Sequence, residues 1–91
     1  MEDDLVRVWL VERTFSDDEL NLVILVYATT DGRRYFRKER ALSGPRDERV
    51  TTAALDVPAH NLGPVLEEAE RERYAAEATR MAAEHDPDDP V

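Results

Sequence analysis

The sequence contains no cysteine. That removes disulfide bridges, thiol nucleophiles and cysteine-ligated zinc together, and it fits a reducing interior. Lysine is almost missing as well: of the 12 basic residues only Lys38 is a lysine, and the rest are arginines. The three glycines are dispersed, so there is no Gly-rich loop to cradle a phosphate. No apolar run is long enough for a membrane-spanning helix. Met1 to Asp4 is acidic with no apolar stretch behind it, unlike a signal peptide. These absences set the expectation of a cytoplasmic protein that uses no cofactor.

What the chain has in excess is negative charge, −9 in 91 residues. In dilute buffer such a charge works against compaction. Molar salt shortens the Debye length to roughly 3 Å and screens it. An acidic, arginine-rich, nearly lysine-free composition therefore suits a salt-adapted protein. An ordinary acidic protein from a GC-rich genome is the blander source of the same bias. A chain of this length makes one domain with a modest core, which a partner or a second copy would help to stabilise.

The most apolar stretch is Leu20 to Thr30, rich in β-branched residues at both parities. Such a strand is covered on both faces of its sheet. Before it, Leu5 to Phe15 alternates as a strand, and Ser16 to Glu19 suits a four-residue hairpin loop. After it, Asp31-Gly32 predicts a type I′ turn, and Arg33 to Leu42 runs back as a third strand. This register sets Trp9 opposite Val26, Val11 opposite Ile24, Phe15 opposite Leu20, Ala28 opposite Tyr35 and Val26 opposite Arg37. Ser43 to Asp47 reads as a loop, and Val50 to Val57 as a short edge strand. Val65 to His85 predicts a helix, with Asn61 or Gly63 as its cap and Pro64 in its first turn. Its apolar residues form two patches, so either it starts late, near Glu67, or the patches meet different surfaces. The expected fold is α+β: an antiparallel β-meander of three or four strands with one C-terminal helix packed on one sheet face. Residues 1–85 form the domain, and 86–91 an acidic, proline-containing, solvated tail. The helix is expected on the face of Val6, Val8, Leu10, Leu25, Tyr27 and Phe36.

One helix covers one face. The other is then expected to expose Trp9, Val11, Ile24, Val26 and Tyr35, rimmed by Arg7, Arg13 and Arg37. A patch of that size predicts a homodimer interface, with Trp9 as its anchor. A second candidate surface is the hairpin bearing Arg33, Arg34, Arg37, Lys38 and Arg40 around Tyr35 and Phe36. A basic ribbon with aromatic rings could bind a nucleic-acid backbone and its bases. Strand alternation splits these cations between two faces, and internal pairing with the helix glutamates is the blander alternative. His85, Asp86, Asp88 and Asp89 lack the spacing and glycine of a calcium loop. His60 and Asp56 lack a third group, and Ser16 and Ser43 sit in turn sequences. No catalytic, cofactor or metal residue is expected.

The composition, the Asp31-Gly32 hairpin and the closing Arg73-Tyr74-Ala75-Ala76-Glu77…Met81-Ala82-Ala83-Glu84-His85-Asp86-Pro87 segment resemble small acidic, uncharacterised proteins of haloarchaea. The resemblance carries no activity with it. The leading expectation is a non-catalytic, homodimeric protein-interaction module. The alternatives are a nucleic-acid-binding module using the basic hairpin, and a small-ligand or enzymatic domain with an unrecognised site.

Overall fold

The structure, a computed structural model, describes residues 4–15, 22–41 and 50–91. Five antiparallel strands form one sheet: β1 (Leu5–Phe15), β2 (Leu22–Ala28), β3 (Arg34–Ala41), β4 (Ala54–Pro58) and β5 (Gly63–Pro64). Their spatial order is β4-β1-β2-β3-β5. The first three strands meander as expected. The fourth crosses to the far side of β1, which gives the Greek-key order 4-1-2-3. It is shorter than the expected 50–57 segment, and it is an edge strand. One helix, α1 (Glu68–Glu84), closes the fold. The loops expected at 16–19 and 43–47, and the two ends of the expected strands at Leu20 and Leu42, lie outside the described residues. No helix is long and apolar enough to cross a membrane.

The β2–β3 register is the expected one: Ala28 faces Tyr35 and Val26 faces Arg37. The turn itself differs. It closes through Gly32 N–H to Thr29 O at 2.9 Å, so Thr30 and Asp31 are its central residues. Gly32 follows at φ 71°, a left-handed conformation that glycine adopts at no steric cost. The Asp31 side chain decides this. Its Oδ1 accepts from the Thr29 hydroxyl at 2.6 Å and from the Arg33 N–H at 3.0 Å, the local bonding that favours aspartate in turns. The Thr29 hydroxyl bond first, then the Arg33 bond, holds the Asp31 carboxyl below the usual carboxylate range.

The β1–β2 register departs from expectation. Trp9 faces Ala28 and Leu10 faces Tyr27, but Glu12 faces Val26, Arg13 faces Leu25 and Phe15 faces Val23. Val11 is an extra residue, a β-bulge. A bulge reverses the parity of everything beyond it. Arg13 and Phe15 therefore leave the Trp9 face, and Glu12 joins it.

The helix lies on the Trp9 face, not on the Val8/Leu25/Tyr27 face. Tyr74 packs in a cluster with Val26, Ala28 and Val65, against which Val11, Ile24 and Tyr35 also rest. Arg73 reaches Glu12 at 3.2 Å. The physical reason is depth. The row Ala54–Trp9–Ala28 places small side chains on either side of the indole, so a helix can approach closely. At the margin Gly32 leaves even more room: a Cβ there would stand 2.0 Å from Arg71 O and 2.8 Å from Ala75 N. The second face carries a core of Val8, Leu10, Val23, Leu25, Tyr27 and Val57. That core is continuous with Ala78 and Met81 of α1 through Trp9 and Ala54.

The helix starts late. Glu67 is its N-cap residue, in place of Asn61 or Gly63. Pro64 pairs with Arg34 in β5, and Val65 N–H bonds Arg33 O. The first apolar patch thus belongs to the incoming chain. Leu62 packs on the core, Val65 is buried, and Leu66 stands 77% exposed. At the other end, residues 86–91 lie alongside the start of β4. Ala54 N–H bonds Pro87 O, Ala53 N–H bonds Asp89 O and Val91 N–H bonds Thr51 O. Val91 rests on the core.

Candidate functional site

Five of the residues expected at a dimer interface, Trp9, Val11, Ile24, Val26 and Tyr35, do share one surface. That surface is the floor under α1. Trp9 is 8% exposed and Val26 6%, so these side chains serve the interior of a single chain. Their expected rim is divided. Arg7 forms a two-pronged pair with Asp56, at 2.8 and 3.0 Å, and its guanidinium holds the Asp56 carboxyl low. Arg37 pairs with Glu39 at 2.6 Å. Arg13 is on the opposite face, moved there by the bulge.

The helix face closes its charges inside the molecule. Arg73 pairs with both Glu70 and Glu12 and lies over the Tyr74 ring at 4.9 Å from its centre. Burial first, then the bond to Glu70, pushes the Tyr74 hydroxyl up to about 12. Arg80 is held by Glu77 and Glu84. This realises the internal pairing weighed above, but with helical arginines rather than those of β3.

The basic hairpin divides as alternation requires. Arg37 lies on the helix face. Arg33 sits at the turn, beside a depression shared with Glu68, Arg71 and Glu72. Arg34, Lys38 and Arg40 lie on the other face. There the bulge adds Arg13, in one row with Leu25 and Lys38, and Phe15, in one row with Val23 and Arg40. Arg40 bonds the Thr51 hydroxyl at 3.1 Å, while its buried Nε has no acceptor. Among the described residues, Arg13, Arg34 and Lys38 have no carboxylate within ion-pair reach. Sequence reasoning missed Arg13 and Phe15 here, because strict alternation places both on the Trp9 side.

A third feature is the edge of β3. Arg34 O accepts from Thr29 N–H across the hairpin, whereas Arg33 O accepts from Val65 N–H on the opposite side. Alternation along an antiparallel strand then turns the backbone groups of Lys38 toward β2 and those of Arg37 and Glu39 outward. β5 pairs only with Arg34 and Tyr35. Among the described residues nothing pairs with Arg37 and Glu39 on that side.

His85 Nδ1 stands 3.8 Å from Asp89 Oδ2, and that same oxygen accepts from Asp86 N–H at 2.8 Å. The His85–Asp89 segment is thus closed as a turn. Among the described residues no group of three or more ligating side chains converges. Asp56 is engaged by Arg7, and His60 lies in the 3-10 turn Ala59–Asn61. Ser16 and Ser43 lie outside the described residues. A groove of about 440 Å³ runs between β1 and the end of α1, past Val11, Arg13, Arg80 and Met81. Of its charged walls, Glu12, Glu77 and Arg80 belong to the ion pairs already described, and Arg13 does not.

Among known protein families, the model of one matches the chain, over residues 1–91, and that family is described as of unknown function. No curated protein and no solved structure matches.

Proposed function

We propose, from the premise that the chain belongs to DUF7967, a family of unknown function, that it is a non-catalytic, salt-adapted interaction module of the cytoplasm that pairs with a second copy of itself through the edge of β3. The observation that carries this reading is the outward backbone of Arg37 and Glu39, left without a strand partner among the described residues. An unpaired strand edge is a template for another strand. A second copy fits it in charge. Antiparallel pairing centred on Lys38 sets Arg37 of each copy against Glu39 of the other, two complementary cross-strand pairs. It also sets Lys38 against Lys38, a repulsion that molar salt screens. Twofold pairing of this kind is closed, so it stops at the dimer.

Sedimentation equilibrium in molar potassium chloride tests the proposal. The native chain is expected to be dimeric at high micromolar concentration. Glu39→Pro removes one outward N–H and leaves the β2 ladder intact, so it is expected to be a folded monomer. A monomeric native chain, or a dimeric Glu39→Pro variant, overturns the edge as the interface.

A further inference from the structure

We infer that a doubly charged inorganic oxyanion, sulfate or hydrogen phosphate, binds on the twofold axis between two Lys38 side chains and gates self-pairing through the edge of β3. The inference rests on that pairing as the reading of the edge. Lys38 is the one lysine of the chain. It stands at the middle of the stretch that is left unpaired, between Arg37 and Glu39. Its side chain leaves the strand on the opposite side from theirs, in one row with Leu25. It is exposed, and among the described residues no carboxylate lies within ion-pair reach of it. A lysine at the centre of an open strand edge guards it against other strands. One short edge thus carries two opposed features. Arg37 and Glu39 complement a second copy, and Lys38 repels it.

Antiparallel pairing centred on Lys38 sets the two lysines directly opposite each other, with their Cβ atoms about 5 Å apart. Both stems project from the same face, so the two ammonium groups can close on one anion from either side. A singly charged ion leaves one of them unmatched. A doubly charged oxyanion matches both, and its oxygens accept charge-assisted hydrogen bonds from both at once. Nothing on that side of β3 competes for the ammonium groups, since Arg34, Phe36 and Arg40 share it and none is acidic. Arg40 is held by the Thr51 hydroxyl at 3.1 Å and adds to the positive field two residues away. The net charge of −9 opposes an anion at long range, and a single Lys38 on a monomer offers only one solvated contact. The site is therefore complete only in the pair. An anion that binds the dimer and not the monomer tightens the dimer by linkage. It does so at concentrations near its own dissociation constant, whereas general screening of the two lysines needs molar salt.

Sedimentation equilibrium at constant ionic strength tests it. Potassium chloride is set at the lowest concentration at which the emission of buried Trp9 reports the folded state. Part of it is then replaced by potassium sulfate or potassium phosphate at millimolar concentration. Either oxyanion is expected to tighten the native dimer on the order of ten-fold, and singly charged perchlorate at the same ionic strength is not. Lys38→Gln should dimerise at least as tightly as the parent without the oxyanion and should not respond to it. Arg34→Gln, whose charge stands about 13 Å from the axis along β3, should keep the response. A native dimer equally tight with and without the oxyanion overturns the anion site and leaves the β3 pairing standing. A Lys38→Gln dimer that still responds does the same. A native chain that is monomeric in every buffer, molar potassium chloride included, overturns the pairing and the site with it.

Discussion

The two faces of the sheet are made from the same strands yet built on opposite rules. The helix face is shallow: Ala28 and Ala54 flank Trp9, and Gly32 lets the backbone of α1 rest on the hairpin turn. Its charges are closed in pairs within the molecule. The opposite face is deep in side chains, with Tyr27, Leu25, Val8 and Val23 the largest fully buried ones. A face that must admit a helix is limited by space. A face that must fill a core with large side chains is limited by volume. Adding atoms should therefore damage the first and removing atoms the second.

The largest effect is expected at Gly32. Gly32→Val combines a β-branched residue at φ 71° with a Cβ placed 2.0 Å from the Arg71 carbonyl oxygen. The positive φ and the displaced helix together should cost about 4 kcal/mol. Chemical denaturation measures it, and a variant as stable as the parent would mean that α1 does not rest on the turn. The opposite face gives the next effect. Leu25→Ala removes a side chain that is 1% exposed and should cost about 3 kcal/mol through lost burial and the cavity left behind. If Leu25→Ala is tolerated while Ala28→Leu is also tolerated, the contrast between the faces fails.

The same contrast explains what could be read from the residues. The β2–β3 register was legible because Thr29–Arg34 and Asp31-Gly32 permit two turns that share one parity. The wrong turn type therefore left every pair in place. The β1–β2 register was not, because nothing in Leu10-Val11-Glu12 marks an inserted residue. The shift appears only once Glu12 has Arg73 to meet. The helix face was misjudged for a related reason. Both faces have apolar centres, so their apolar residues do not rank one above the other as a docking surface. The smallness of Ala28 and Gly32 was the better signal, since a helix needs room before it needs partners. The two patches before and along α1 were correctly seen as separable, and Pro64 pairing with Arg34 settles that the first belongs to the incoming chain. Of the candidate surfaces, the cations of β3 were legible from alternation. Arg13 became part of them only through the bulge.

A smaller effect should come from salt. With a net charge of −9, the surface carboxylates repel one another across the molecule. Thermal melts should show a higher melting temperature in molar potassium chloride than in dilute buffer, since screening acts on surface charges first. Restoring neutrality by charge-removing substitutions on the outer side of α1, such as Glu72→Gln, should narrow the difference. Equal melting temperatures in the two conditions would remove salt adaptation as a reading of the composition.

The smallest effect is expected at the turn on which the helix rests. Asp31 accepts two hydrogen bonds there, and they hold its carboxyl below the usual range. A carboxylate whose pKa is lowered in the folded state adds stability above its unfolded value, near 3.9. That stability is lost as the pH falls through the lower folded value. The window therefore lies below about pH 4. Asp31→Asn keeps an oxygen that can accept from Thr29 and Arg33 but carries no charge to titrate. At neutral pH it should cost less than about 1 kcal/mol, because the site is largely exposed and solvent screens the charge. Below the window parent and variant should converge in stability. Melting temperatures of both proteins across an acid series measure this directly. A gap that stays constant with pH would mean that Asp31 contributes through shape alone, and that the turn holds the helix without help from its charge.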